Sequence, residues 1–488
     1  MKISFKQALA IFTCLIFAFS VKSQTPIRLL PANPHYFEYN GKPLALITSA
    51  EHYGALINLD FDYKKYLQTL HDEGMNYTRI FTGSYFEIPS ASFSIKHNSL
   101  APQAGSLLTP WNTQEENGRI KYNWNSYNPE YFARLNDFMS LAQSLDIIVE
   151  VTPFSSIYSD EHWEINPQNP KNRVGGTDDL NRQLAHTLQN GELTELQKSY
   201  VRKLVDELNG FDNFFFEIQN EPWADRSRSV INLINKYDVS GEDWMNKVDV
   251  ADQASLEWQE EMIKTIVEAE KLLPKKHLIA QNYNNFYAPI LSVSEHVSIL
   301  NFHYNWPESA EMNYHWNKVI GFDESGFAGS EDLVYRRQAW AFMLSGGGLF
   351  NNLDYSFFSG QEGGTLENEA PGGGSKALRS QLKILSEFMH ELDLANTVPD
   401  KSLVQAAPGL LTFALKNGNK GFAVYVIEAG TNDSFFTLTI PAGTYELEEL
   451  DPISGKRNSL GSFEVTKYPL KIVVKLRQGE MAYRIVKK

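Results

Sequence analysis

Apolar positions along this chain change period repeatedly. Short runs rich in β-branched and aromatic residues recur at 43–50, 75–83, 147–154, 214–221, 277–283, 297–304, 319–325 and 346–355. Between most of them, apolar residues return every three or four positions, the period of an amphipathic helix. This spacing predicts helices over 60–74, 129–146, 192–210, 254–274 and 375–392. The second opens on Pro129, suited to a first helical turn, and the third closes on Asn209-Gly210, a stop signal. Eight strands alternating with helices predict a parallel sheet closed as a (β/α)8 TIM barrel over residues 24–393. Two connections, 84–128 and 155–191, are long and rich in aromatic and polar residues. Both follow strands, which places them at the C-terminal face, where barrel sites are built.

The pattern shifts near residue 395. From there to the end it reads as short alternating strands punctuated by turn dipeptides, Asn417-Gly418 and Asp451-Pro452. Residues 394–488 are therefore expected to form a small immunoglobulin-like β-sandwich. With no exposed aromatic platform in its sequence, bracing the barrel is the favoured role over binding glycan.

The first residues carry a different signal. Lys2 and Lys6 precede an apolar run from Ala8 to Phe19, and Val21-Lys22-Ser23 supplies a cleavage site. Residues 1–23 are expected to be a signal peptide, making the mature protein secreted or periplasmic; attachment to the surface is the alternative. The only cysteine, Cys14, lies inside this run, so the remaining chain has neither disulfides nor thiol chemistry. No later stretch is long and apolar enough to span a bilayer. A net charge of −15 argues against nucleic acid as a partner, since phosphate binding needs a basic face. A hydrophobic share of 42% allows a large core. A monomer is expected.

Candidate chemistry begins at FFFEIQNEPW, residues 214–223. Three phenylalanines indicate a buried strand, and its end carries Asn220 and Glu221. Strict alternation would aim Glu217, Gln219 and Glu221 into the barrel together. A second carboxylate, Glu324, ends the seventh expected strand, VIGFDES. Alternation gives Ile320, Phe322 and Glu324 one facing and leaves Asp323 on the other. Strands four and seven lie on opposite sides of a barrel mouth, so Glu221 and Glu324 can face each other across a bound chain. Two opposed carboxyls, one protonated and one ionised, are the equipment of glycoside hydrolysis and need neither metal nor cofactor.

The region 43–393 resembles a clan A glycoside hydrolase, closest to glycoside hydrolase family 5. The resemblance rests on Asn220-Glu221-Pro222 at strand four, Glu324 at strand seven, GMNYTRI on strand two and FHYNW on strand six. It implies a retaining double displacement with Glu221 as acid/base and Glu324 as nucleophile. It also implies that Asn220 binds the 2-hydroxyl, that Arg79 lies beside the nucleophile, and that His303 and Tyr304 contact substrate. Two features depart from the family. Asn305 holds the slot of its usual tyrosine, and strand eight has no tryptophan, so Tyr355 or Phe357 must serve as the platform there.

Trp223, Trp306 and His52 are further candidates for binding sugar, by position after strands four, six and one. The substrate expected is a β-linked polysaccharide or oligosaccharide, a β-glucan by analogy. A catalytically silent carbohydrate-binding protein and a transglycosylase are the competing readings. Whether cutting is internal or terminal depends on how the long loops wall the cleft.

Overall fold

The computed structural model describes residues 25–176, 179–234, 243–430, 435–466 and 469–488; the expected signal peptide lies outside these. Eight parallel strands form the barrel: β1 Leu46–Ala50, β2 Tyr77–Phe81, β3 Ile148–Thr152, β4 Phe214–Glu217, β5 Ile279–Asn285, β6 Ile299–His303, β7 Val319–Ser325 and β8 Leu349–Leu353. Their hydrogen-bonded order runs β1-β8-β7-β6-β5-β4-β3-β2. The two end strands meet at a seam bridged by Asn76. Its amide donates to Ala45 O (2.9 Å) and accepts from Ile47 N (2.9 Å).

The barrel floor takes one inward residue from every strand: Leu46, Tyr77, Ile148, Phe215, Ala280, Ile299, Val319 and Leu349. The N-terminal hairpin seals it from below with Phe37 and Tyr39. Two residues higher, the inward positions turn polar: Arg79, Glu150, Glu217, Asn282 and Asn301, all buried. The same period that builds an apolar base thus raises an ionic layer beneath the mouth. Gly321 sits in this layer because a Cβ there would lie 2.4 Å from Asn301 Oδ1.

Helices α1 Tyr63–Asp72, α2 Pro129–Ser144, α3 Leu193–Leu208, α4 Gln253–Glu270 and α6 Lys376–His390 fall where the spacing predicted them. Asp62, Asn128, Asp252 and Ser375 cap four of them through side-chain oxygens. Helix α5, Asp332–Met343, was not anticipated. It is apolar on two sides, so a single amphipathic face is absent. Phe342 packs on Phe322 of β7, while Trp340 stacks on Tyr425 of the C-terminal region at 5.3 Å.

The C-terminal region is a β-sandwich of one six-stranded and one three-stranded antiparallel sheet. Val424, Phe436, Ile472 and Tyr483 fill the space between them. The outer face of the larger sheet contributes Leu415, Ala423, Tyr425 and Ala482 to the barrel's own core. Arg336 of α5 and Glu480 form a buried pair across this junction, with Arg336 Nη2 donating to Oε1 at 2.6 Å.

Candidate active site

The strand alternation expected at β4 and β7 does not hold at their upper ends. In β4 the ladder breaks at Ile218. Gln219 consequently turns away from the barrel axis and donates to Asp225 Oδ2 (2.8 Å). Asn220 and Glu221 then both reach inward. Glu221 takes φ 47°, a left-handed conformation rare outside glycine that aims its carboxyl across the mouth. In β7 a register shift against both neighbours lets consecutive residues face the interior. Phe322 and Ile320 face the helices, and Asp323 points inward directly below Glu324. The expectation that Asp323 faced away is corrected: it continues the inward set of Val319 and Gly321, and the bulge brings Glu324 inward after it.

Glu221 and Glu324 meet. One carboxylate oxygen of each, together with a ring nitrogen of His303, lies within 4.8 Å of the others. Glu324 accepts from Tyr53 Oη (2.9 Å), Tyr304 Oη (2.6 Å) and Arg79 Nη1 (3.4 Å). Tyr304 reaches it from a left-handed backbone, φ 50°, at the end of β6. Glu221 accepts from Tyr158 Oη (2.8 Å) and lies 2.9 Å from His303 Nδ1. Asn220 is clamped between Arg79 Nη2, which donates to its Oδ1 (2.8 Å), and Tyr158 Oη, which accepts from its Nδ2 (2.8 Å).

Arg79 is fully buried, pairs with Glu217 and lies 3.7 Å from Asp323. Burial pushes the Glu324 carboxyl up, but the charges of His303 and Arg79 and the Tyr304 hydrogen bond outweigh it. Its pKa ends below the usual carboxylate value. Burial likewise pulls the His303 imidazole down, yet Glu324 and Asp323 hold it well above its ordinary value. Asp323 is pushed up to about 7, mainly by burial. A second group with close ligand atoms, Glu150, Glu217 and Asp323, surrounds Arg79, so a cation already sits there.

The carboxylates open into a cavity of about 360 Å³, within the range of small-ligand sites. Trp223 and His52 line it, as do Tyr53, Tyr158 and Tyr304. Trp306 and Tyr355 do not. Trp306 stacks on Tyr287 at the outer rim, 40% exposed. Tyr355 is buried behind His52, with ring centroids 5.9 Å apart. The aromatic wall comes instead from Trp244, which packs against Tyr304 (4.7 Å) and Phe327 (6.0 Å). Trp244 follows a hairpin strand, Ser227–Asn232, in the connection after β4, a segment with no strong signal in the sequence. Glu87 and Tyr158 were also missed. Both sit in the long loops marked as aromatic and polar, where only folding distinguishes a lining residue from a packing one.

These features define the class of fold: a TIM barrel with an opposed carboxylate pair at its mouth and a C-terminal β-sandwich. Solved glycoside hydrolases share the fold. A glycoside hydrolase family 5 structure from Bacteroides vulgatus superposes with a TM-score of 0.61 at 12% identity, covering 95% of this chain and 92% of its own. A second structure, described as a glycoside hydrolase, gives 0.58 at 12% identity, covering 95% and 97%. No protein-family model and no curated relative matches the sequence.

Proposed function

We propose that this protein is an exported, retaining glycoside hydrolase acting on β-linked sugars. One observation carries the reading: one carboxylate oxygen of Glu221 and one of Glu324 lie within 4.8 Å of each other at the mouth of a barrel. Retaining enzymes hold their carboxyls about 5–5.5 Å apart, and inverting ones about 6.5–9.5 Å, to leave room for a water.

Glu324 attacks the anomeric carbon as the carbon–oxygen bond to the leaving group breaks, and Glu221 gives its proton to the departing oxygen. A glycosyl ester on Glu324 results, and the negative charge passes from Glu324 to Glu221, so the pair's net charge is unchanged. Glu221 then takes a proton from water, whose oxygen attacks the same carbon and releases Glu324. Arg79, Tyr53 and Tyr304 keep Glu324 ionised and fix its rotamer. Asn220 holds the 2-hydroxyl, and Tyr158 orients Glu221. The leader at 1–23 would export the enzyme, and a β-glucan is the first substrate to try.

Proton NMR of early hydrolysis on a panel of β-glucans, mannans and xylans tests the reading. It requires the product to appear first as the β-anomer, and Glu221→Gln to lose roughly 10²- to 10⁴-fold in rate on poor leaving groups. An α-anomer as first product, or full activity in that variant, would refute it.

A further inference from the structure

The loop after β2 forms a wall across one side of the mouth. It is tied at both ends to neighbouring loops. On the β3 side, His162 Nε2 donates to Ala91 O (2.8 Å), and Phe93 stacks on His162 with centroids 5.8 Å apart. On the β8 side, Lys96 N donates to Glu369 O (2.8 Å), and His97 stacks on Phe358 at 5.1 Å. The rim from the β3 loop round to the β8 loop is therefore continuous, and a chain lying over the carboxylates has no exit there.

The inner face of this wall sets one carboxylate, Glu87, among Tyr85, Phe93 and Leu100. Glu87 lines the cavity with its carboxylate held in place by Asn98 Nδ2 (2.5 Å), Tyr85 Oη (3.3 Å) and His52 Nε2 (3.4 Å). His52 Nδ1 is buried without a hydrogen-bond partner. The opposite side carries Trp244, Phe327 and Tyr304 together with Ser227, Lys247, Asp249 and Asn285. Asn220, the amide expected to take the 2-hydroxyl, is bonded to Arg79 and Tyr158 on the walled side. The glycone therefore faces the wall, and the leaving group faces the aromatics. The gap is short: His52 packs on Tyr53 (5.5 Å), whose hydroxyl bonds Glu324.

We propose that the cavity takes the non-reducing end of a β-linked chain and releases one sugar at a time, with Glu87 and His52 bonding hydroxyls of the terminal residue, one of which only a terminal residue leaves free. This rests on the glycosidase reading above. An internal residue would have that hydroxyl substituted, and its continuing chain would collide with the wall. The Glu87 carboxylate, already holding three bonds, accepts from one sugar hydroxyl, and the His52 imidazole bonds another.

The test uses the purified full chain on soluble β-glycans, on oligosaccharides with a free non-reducing end, and on the same oligosaccharides capped there by a methyl ether. The proposal expects a monosaccharide as the only early product, inert capped chains, and polysaccharide viscosity falling no faster than sugar is released. Mixed oligosaccharides with a rapid viscosity drop, or equal rates on capped chains, would overturn terminal action while leaving the glycosidase reading intact. No cleavage of any substrate would instead remove the glycosidase reading, and this proposal with it. Glu87→Gln, checked for folding by its thermal melt, should lower kcat/KM on terminal glycosides roughly 10- to 100-fold. A substrate deoxygenated at the contacted hydroxyl should lose nothing further in that variant. Additive losses would show that Glu87 does not touch that hydroxyl.

Discussion

At the scale of single residues, the site divides two similar carboxyls by their neighbours. Glu324 receives bonds from a guanidinium and two phenols, while Glu221 faces one phenol and an imidazole. Its depressed pKa makes Glu324 a group whose ionised form is stabilised on folding. That stability is present above its unfolded pKa and is lost as pH falls through the folded one. The same sign applies to activity, because the nucleophile must be ionised. Tyr304→Phe deletes a bond to the ionised form, so the acid limb of kcat/KM should move to higher pH. An unchanged limb in that variant would show that Tyr304 does not help hold the charge. Glu221 and Glu324 were legible in the sequence because a carboxylate at the end of a buried strand is itself a signal. Tyr158 was not singled out, since a tyrosine in an aromatic-rich loop packs more often than it binds.

At the scale of elements, all eight strands and five helices were readable from period alone. Alternation failed only where a strand left ideal geometry. The break at Ile218 and the bulge at Asp323 each add an inward side chain that a period of two assigns outward. Left-handed residues at the strand ends (Tyr53, Glu221, Tyr304 and Phe327) re-aim four more around the cavity. These departures coincide with the site, as expected where local rules yield to function. The hairpin after β4 escaped notice because its strands are largely polar and flank a lone tryptophan. If that tryptophan is the platform for the leaving chain, Trp244→Ala should raise KM roughly two- to tenfold with kcat nearly unchanged. Steady-state kinetics on an oligosaccharide would measure it, and an unaltered KM would exclude the platform.

At the scale of the whole molecule, the sandwich is part of the barrel's packing. Tyr425 and Ala482 extend the barrel core, and Glu480 is buried against Arg336 and Tyr425 Oη (2.6 Å). The change of period near residue 395 revealed the second unit, but not that α5 would be wedged between the two. Arg336→Ala leaves Glu480 buried without its strongest partner and should cost about 3–5 kcal/mol. Urea titration would read this as a lower midpoint, with kcat/KM unchanged under native conditions. A midpoint equal to the parent's would mean that the junction does not brace the fold.

The account stands on Glu324 forming a bond to sugar while Glu221 serves as its acid and base. Trapping tests this most directly: incubate the protein with activated 2-fluoro-β-glycosides of several sugars, then map the modified peptide by mass spectrometry. The account predicts a single glycosyl adduct on Glu324. An adduct on any other side chain, or none with any sugar tried, would contradict it.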